Sequence, residues 1–157
     1  MRIITGTARG KRLMALEGQD VRPTADRVKE ALFSILQFRL EGRSFLDMFA
    51  GSGQIGLEAL SRGARHAVFL ESFRKAAEVT KKNIDHTGFA HAAKLICTDA
   101  FAYLKSTAET FDIAFLDPPY GKNLLPAALE AVSPRMAVSG MIVCEHSSRE
   151  ELPEQVG

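Results

Sequence analysis

The chain changes its hydrophobic pattern near residue 44. From there onward, short apolar runs of strand length alternate with stretches in which apolar residues recur at helical spacing. Several of these runs are continuously apolar, which is typical of strands covered on both sides. The pattern predicts strands at 44–49, 67–71, 94–97, 111–116 and 141–145, separated by helices at 54–62, 73–87, 100–106 and 123–131. We therefore expect an α/β fold, with a Rossmann-like parallel sheet and helices on both of its faces.

The first 43 residues have a different texture. Short apolar pieces at 3–4 and 13–16 flank a turn that contains two glycines, which predicts a β-hairpin. Pro23 ends this stretch, and Thr24 is suited to cap a following helix. The apolar face expected for that helix consists of Val28, Ala31, Leu32, Ile35 and Leu36. Lys29 falls outside this face. We expect residues 1–43 to form an extension that joins residues 44–157 in one compact unit.

Length and composition exclude several classes of protein. A chain of 157 residues, 46% hydrophobic and 25% charged, is sized for one globular domain. Its apolar runs are too short to span a bilayer and no signal-peptide core follows Met1, so we expect a cytoplasmic location. Two cysteines exclude a disulfide scaffold, and four histidines without ligand spacing give no reason to expect a metal.

The net charge of +1 conceals an uneven distribution. Residues 1–43 contain nine lysines and arginines against five acidic residues, a net charge of +4, whereas residues 44–157 carry −3. Such asymmetry indicates a basic arm on a near-neutral body, as in proteins that bind nucleic acid. Ordinary scatter of surface charge would give similar counts, so both interpretations stay open on charge alone.

A glycine-rich loop follows the first predicted strand. Gly51, Gly53 and Gly56 form a G-x-G-x-x-G between strand and helix, and Glu71 ends the next strand, where a carboxylate can accept hydrogen bonds from a ribose. Asp47 and Asp99 add two more carboxylates at strand ends, which suits a cationic cofactor better than a diphosphate. The glycine motif by itself does not distinguish S-adenosylmethionine from a nicotinamide dinucleotide, and the carboxylates favour S-adenosylmethionine. The candidate cofactor-binding residues are Asp47, Ala50, Gly51, Ser52, Gly53, Glu71, Ser72, Asp99 and Ala100.

The fourth predicted strand ends in the most specific motif of the chain, Asp117-Pro118-Pro119-Tyr120. Two consecutive prolines fix the backbone and remove two donors, which leaves acceptors at the strand tip. The Asp117 carboxylate and the Pro118 carbonyl can then accept hydrogen bonds from one amino group, while Tyr120 offers a flat face for stacking on a base. We predict that these four residues form the catalytic site of an amino methyltransferase.

Taken together, these motifs resemble those of class I S-adenosylmethionine-dependent methyltransferases. More narrowly, the chain resembles the RsmD family from residue 2 to about residue 146. The similarity is carried by RIITG at 2–6, RGK at 9–11, RPTADRVKEALF at 22–33 and FLDMFAGSG at 45–53. Members of this family methylate the N2 amine of a guanine in small-subunit (16S) ribosomal RNA.

The resemblance implies a role for each part of the chain. The glycine loop would hold the methionine part of S-adenosylmethionine, Glu71 its ribose and Asp99 its adenine end. The 117–120 motif would receive a flipped guanine. The basic arm would contact RNA phosphates through residues that are candidate substrate contacts, namely Arg9, Lys11, Arg12, Arg22, Thr24 and Arg27. The resemblance further implies a monomer without metal that acts on an assembled ribosomal particle.

One departure and several alternatives accompany this interpretation. Class I methyltransferases usually add an antiparallel strand pair after the fifth strand, and residues 147–157 are polar, so we expect that pair to be missing. The main alternative is an amino methyltransferase acting on DNA adenine N6 or on a protein glutamine. Glutamine enzymes typically carry Asn where Asp117 stands, and DNA enzymes typically need a larger recognition region. A nicotinamide dehydrogenase would leave the 117–120 motif without a role, and a non-catalytic RNA-binding module would not explain the pocket residues.

Overall fold

The computed structural model describes residues 1–16, 26–119 and 123–144, and for residues 26–28 it describes the backbone only. Its helices are α1 (Asp26–Leu36), α2 (Gln54–Ser61), α3 (Arg74–Thr87), α4 (Ala100–Ser106) and α5 (Leu125–Val132). Its strands are β1 (Ser44–Asp47), β2 (His66–Leu70), β3 (Ala93–Ile96), β4 (Phe111–Leu116) and β5 (Met136–Cys144). Within these three ranges no helix has both the length and the apolarity needed to cross a membrane.

All five strands lie in one parallel sheet with the order β3-β2-β1-β4-β5. Side chains from β1 alternate between its faces: Phe45 packs with α2, α3 and the N-terminal extension, whereas Leu46 packs with α4 and α5. Burial on both faces explains why the strands read as continuous apolar runs. The predicted α/β fold, a parallel sheet with helices on both faces, is confirmed.

The fifth strand differs most from its predicted bounds. It begins at Met136 rather than at 141, because Phe111 pairs with Met136 while Ile113 pairs with Met141. The intervening residues bulge outward, and a Cβ on Gly140 would lie 2.9 Å from the Ala137 carbonyl oxygen. The hydrophobic pattern of the sequence does not indicate such a bulge. The expected absence of a terminal strand pair concerns residues beyond 144, which lie outside the described part of the chain.

The predicted apolar face of the first helix is partly wrong. Leu32 and Leu36 are buried as expected, but Ala31 is exposed and Ile35 is 67% exposed. Lys29, which was placed outside the apolar face, is completely buried. Its ammonium group donates to the Arg2 carbonyl oxygen at 2.7 Å, so a tertiary partner offsets the cost of burying the charge.

Within the N-terminal extension, the described residues before α1 form a hairpin that packs on α2. Arg2 and Arg12 form an antiparallel bridge, as predicted. The Ser61 hydroxyl accepts from the Ala8 N–H at 3.0 Å and donates to the Thr5 carbonyl oxygen at 2.7 Å. Gly6 has a φ of +95°, and a side chain there would collide with the Ser61 backbone. Glycine is therefore required for this close approach.

A buried carboxylate fixes the same hairpin to the helix. Both Glu58 oxygens accept backbone N–H groups, from Ile4 at 2.8 Å and from Thr5 at 3.1 Å. The Arg62 Nε donates to Glu58 at 2.9 Å, and the Lys29 Nζ lies 3.8 Å from it. Glu58 is therefore an anion surrounded by donors, and it joins the hairpin, α1 and α2.

We expect Glu58→Gln to lower the free energy of unfolding by about 3 kcal/mol, because two cations would lose their buried counter-charge. The matched control is Glu78→Gln, which removes one partner of an exposed Arg74–Glu78 pair on α3. The control should change the free energy of unfolding by less than about 0.5 kcal/mol. Urea unfolding followed by circular dichroism measures both values, and equal losses in the two variants would contradict the assigned role of Glu58.

Candidate active site

A cavity of about 770 Å³ opens at the carboxyl ends of β1 to β4. The chain passes from β1 outward through β2 and β3 and then returns to the other side of β1 with β4. Ligands of open α/β sheets bind at such a reversal of strand order. Residues from the ends of all four strands meet here, and the lining residues are Leu16, Met48, Phe49, Gly51, Ser52, Leu70, Glu71, Ser72, Phe73, Ala76, Thr98, Asp99, Ala100, Phe101, Asp117, Pro119 and Leu124.

The glycine loop turns tightly between β1 and α2. Gly51 and Gly53 have φ values of +60° and +85°, which favour glycine. Gly56 has no room for a side chain, because an added Cβ would collide with the Phe69 ring. The first two glycines therefore shape the loop, and the third allows α2 to approach the sheet closely, as the motif predicts.

Glu71 holds this loop to the end of β2. Its Oε1 accepts the Gly51 N–H at 2.8 Å and its Oε2 accepts the Phe73 N–H at 2.9 Å. Sequence reasoning assigned Glu71 to a ribose and missed this anchoring role. A carboxylate has about four acceptor positions, so two remain for hydroxyl groups of a ligand.

Asp47 lies beneath the loop and is only 1% exposed. It accepts the Gly56 N–H at 3.0 Å. Burial raises the pKa of Asp47 to about 7, with smaller upward contributions from the negative charges of Asp117 and Glu71, against a lowering by the Gly56 hydrogen bond. Glu71 and Asp117 thus form an acidic floor of the cavity, with the buried Asp47 behind it, and a positive ligand charge would be stabilised there.

Helix α3 supports the glycine loop from behind, which sequence reasoning missed. The Thr80 hydroxyl donates to the Gly51 carbonyl oxygen at 2.6 Å, and the Asn83 Nδ2 donates to the Ser52 carbonyl oxygen at 2.8 Å. Both side chains are completely buried. Two polar residues spaced three apart on the buried face of a helix are the signal that could have revealed this role.

Most predicted cofactor residues surround the cavity, but not all. Gly51, Ser52, Glu71, Ser72, Asp99 and Ala100 line it. Three others, Asp47, Ala50 and Gly53, lie behind the lining residues and shape the loop. Asp99 also caps α4, since its Oδ1 accepts the Phe101 N–H at 2.9 Å.

Aromatic side chains form an apolar part of the cavity wall. The rings of Phe49 and Phe101 meet edge to face with centroids 6.3 Å apart, and Phe73, which is 46% exposed, lines the same cavity. The sequence predicts apolar contact between Phe101 and a ring, whereas Phe49 and Phe73 were not among the predicted site residues, although Phe73 directly follows the predicted residue Ser72. Such rings favour a flat ligand group such as a purine.

The fourth strand presents its predicted motif to the same cavity. Asp117 and Pro119 line it, and Pro118 is buried beside them. Tyr120 lies outside the described residues. Among the residues that are described, no three His, Cys, Asp or Glu side chains are grouped as metal ligands.

The predicted substrate contacts are described only in part. Arg9, Lys11 and Arg12 are exposed on the hairpin. Arg22 and Thr24 lie outside the described residues, as does the side chain of Arg27. The hairpin reaches the cavity at its ends: the Ser52 hydroxyl lies 3.7 Å from the Met1 sulfur, and Leu16 forms part of the wall.

Comparison with known proteins places the chain in a family. The family model described as conserved hypothetical protein 95 matches residues 1–157. Ribosomal RNA small subunit methyltransferase D of Haemophilus influenzae is 41% identical over 82% of this chain and 68% of its own length. The Escherichia coli protein of the same name is 35% identical over 98% of this chain and 78% of its own length.

A solved structure gives the same assignment. The Escherichia coli protein yhhF superimposes with a TM-score of 0.86 at 34% identity, covering 98% of this chain and 86% of that one. The match includes the N-terminal hairpin as well as the sheet, since it extends over nearly the whole chain. On the full-length family match and this shared fold, the chain belongs to the conserved hypothetical protein 95 family, which is the RsmD family of class I methyltransferases.

Proposed function

We propose that this protein uses S-adenosylmethionine to methylate the N2 amine of a guanine in small-subunit ribosomal RNA. One observation carries the proposal: Asp117 and Pro119 face the cavity that Glu71 and the glycine loop also line. A site for an amino group and a site for a nucleoside-bearing cofactor therefore share one space. The names of the Haemophilus influenzae and Escherichia coli relatives support ribosomal RNA as the substrate.

The lining residues fit the chemistry of this cofactor. Its sulfonium and ammonium charges suit the acidic floor formed by Glu71 and Asp117, with Asp47 buried behind it. Glu71 retains acceptor positions for ribose hydroxyls, and Phe101 offers an apolar edge for an adenine ring. When bound, S-adenosylmethionine supplies an electrophilic methyl group. A diphosphate in the same place would be repelled by Glu71 and Asp117.

Asp117 acts on the amine that receives the methyl group. Its carboxylate accepts a hydrogen bond from the exocyclic nitrogen, together with the Pro118 carbonyl oxygen, and so directs the nitrogen lone pair into the cavity. Positive charge develops on that nitrogen during transfer, and a nearby carboxylate stabilises it. The rigid Pro118-Pro119 backbone maintains this alignment. A base must leave its stack to reach the cavity.

The exposed cations of the hairpin supply the contact with RNA. Arg9, Lys11 and Arg12 lie on one exposed turn region and its return strand, and they can neutralise phosphates without reading sequence. We propose that the substrate is a ribosomal particle rather than bare RNA, and that the protein acts in the cytoplasm, where such particles are assembled.

We expect calorimetry to detect S-adenosylhomocysteine binding to the wild-type chain and no binding of NADH. Glu71→Gln should weaken that binding at least about tenfold, because the neutral amide loses charge complementarity and disturbs the Gly51 anchor. Glu78→Gln, on the exposed face of α3, is the matched control and should leave the affinity unchanged. Tight NADH binding would refute the cofactor assignment.

We expect Asp117→Ala to reduce methyl transfer at least about 100-fold. The affinity for S-adenosylhomocysteine should change less than about twofold, because this product has a neutral sulfur and lacks the sulfonium charge of the cofactor. The assay follows tritiated methyl incorporation into small ribosomal subunits that lack the modification, with bare RNA and DNA as parallel substrates. Asp85→Ala, which alters an exposed α3 residue, should retain full activity. Undiminished turnover of the Asp117 variant would exclude its catalytic role, and preferential labelling of DNA would favour the adenine alternative.

Replacing Arg9, Lys11 and Arg12 together with Gln should weaken RNA binding and reduce its dependence on salt. The slope of log affinity against log salt is negative, and each lost phosphate contact makes it less steep by about 0.7 to 0.9. The control replaces Lys75, Lys81 and Lys82, three exposed residues of α3, and removes the same charge elsewhere. Equal slopes for both triple variants would show that the hairpin cations act only through net charge.

A further inference from the structure

Asn83 of α3 is a completely buried side chain that reaches two separate parts of the chain. Its Oδ1 accepts the Met14 N–H at 2.8 Å, and its Nδ2 donates to the Met14 carbonyl oxygen at 3.0 Å. The same Nδ2 donates its other hydrogen to the Ser52 carbonyl oxygen at 2.8 Å. Both donors of the amide are thus used, and the side chain pairs with Met14 as a neighbouring strand would.

The two connected parts have different tasks. Met14 continues the hairpin strand that carries Lys11 and Arg12, and it lies two residues before Leu16 in the cavity wall. Ser52 belongs to the glycine loop and also lines the cavity. A single amide therefore bonds to the loop that faces the cofactor space and to the strand that leads from the basic hairpin.

Two other buried polar residues, Thr80 and Ser61, each form hydrogen bonds to only one of these two parts. Thr80, one turn earlier on α3, bonds to Gly51 in the glycine loop. Ser61 on α2 bonds to Thr5 and Ala8 in the hairpin. These residues make it possible to loosen the loop or the hairpin separately from the connection between them.

We infer that Asn83 is a positioning residue that couples the cofactor site to the RNA-contacting hairpin. This inference rests on the proposed function, since it takes S-adenosylmethionine and RNA as the two ligands. A ligand that packs against Ser52 restricts the glycine loop, and Asn83 transmits that restriction to the Met14 backbone. The entropy cost of restricting the strand at Met14 is then partly met before RNA arrives. Because coupling of binding is reciprocal, RNA strengthens cofactor binding by the same factor.

The main experiment measures the affinity for a small-subunit RNA with and without saturating S-adenosylhomocysteine. In the wild-type chain the cofactor product should strengthen RNA binding about tenfold, within the usual range of coupling between two sites. In Asn83→Ala the ratio should fall below about twofold. Thr80→Val is the matched control: it should weaken S-adenosylhomocysteine binding and keep the wild-type ratio. Ser61→Ala should weaken RNA binding and also keep that ratio.

A second measurement needs no RNA. Hydrogen exchange at the Leu13 and Met14 amides should slow when S-adenosylhomocysteine is added to the wild-type or Thr80→Val chain, and should not respond in Asn83→Ala. Asn83→Ser, whose short hydroxyl cannot reach all three partners, replaces the alanine variant if that variant does not fold. Unchanged exchange of core amides in β1 verifies that each variant is folded.

The outcomes separate this inference from the proposed function. If wild-type protein binds no S-adenosylhomocysteine, the cofactor part of the proposed function fails and the coupling fails with it. If the ligand binds but the Leu13 and Met14 amides do not respond, or if Asn83→Ala keeps the wild-type ratio, the coupling alone is refuted. If the amides respond through Asn83 but neither RNA nor small ribosomal subunits bind, the connection stands and the RNA substrate is refuted.

Discussion

The glycine loop is the constraint on which the site depends. A tight turn without side chains exposes backbone groups on both of its sides, and those that do not face a ligand require partners. Glu71 and Asp47 accept N–H groups from the loop and the start of α2, while Thr80 and Asn83 donate to its carbonyl oxygens. The loop is thereby held from the sheet on one side and from α3 on the other, which leaves its inner surface open to the cavity.

The second constraint is the burial of charge beneath the hairpin. Glu58 and Lys29 are completely buried, and their removal from water is compensated by backbone groups of the hairpin and by Arg62. This arrangement packs the N-terminal hairpin together with α1 and α2. As a result, the basic residues of the hairpin have a defined position relative to the cavity, although their own side chains are exposed.

Charge is divided between two surfaces of the molecule. The hairpin presents cations to solvent, whereas the cavity floor carries Glu71 and Asp117. Burial, together with the negative charges of these two residues, raises the pKa of Asp47 behind the floor to about 7. A polyanion and a cationic cofactor can therefore occupy adjacent sites without competing for the same groups. The overall net charge of +1 adds the charges of regions of opposite sign, so it describes neither the basic hairpin nor the acidic cavity.

The sequence by itself determined the order of strands and helices, the glycine turn, and the meeting of Glu71, Asp99 and Asp117 at one edge of the sheet. These features follow from local periodicity and from the rule that parallel strands end on the same side. Tertiary structure decided which polar residues are buried. Lys29 rather than Ile35 faces the core, and Asn83 bonds to Met14, which lies 69 residues away along the chain. Such choices depend on partners supplied by distant segments, so a local pattern could mark Asn83 as a buried polar residue but could not identify its partners.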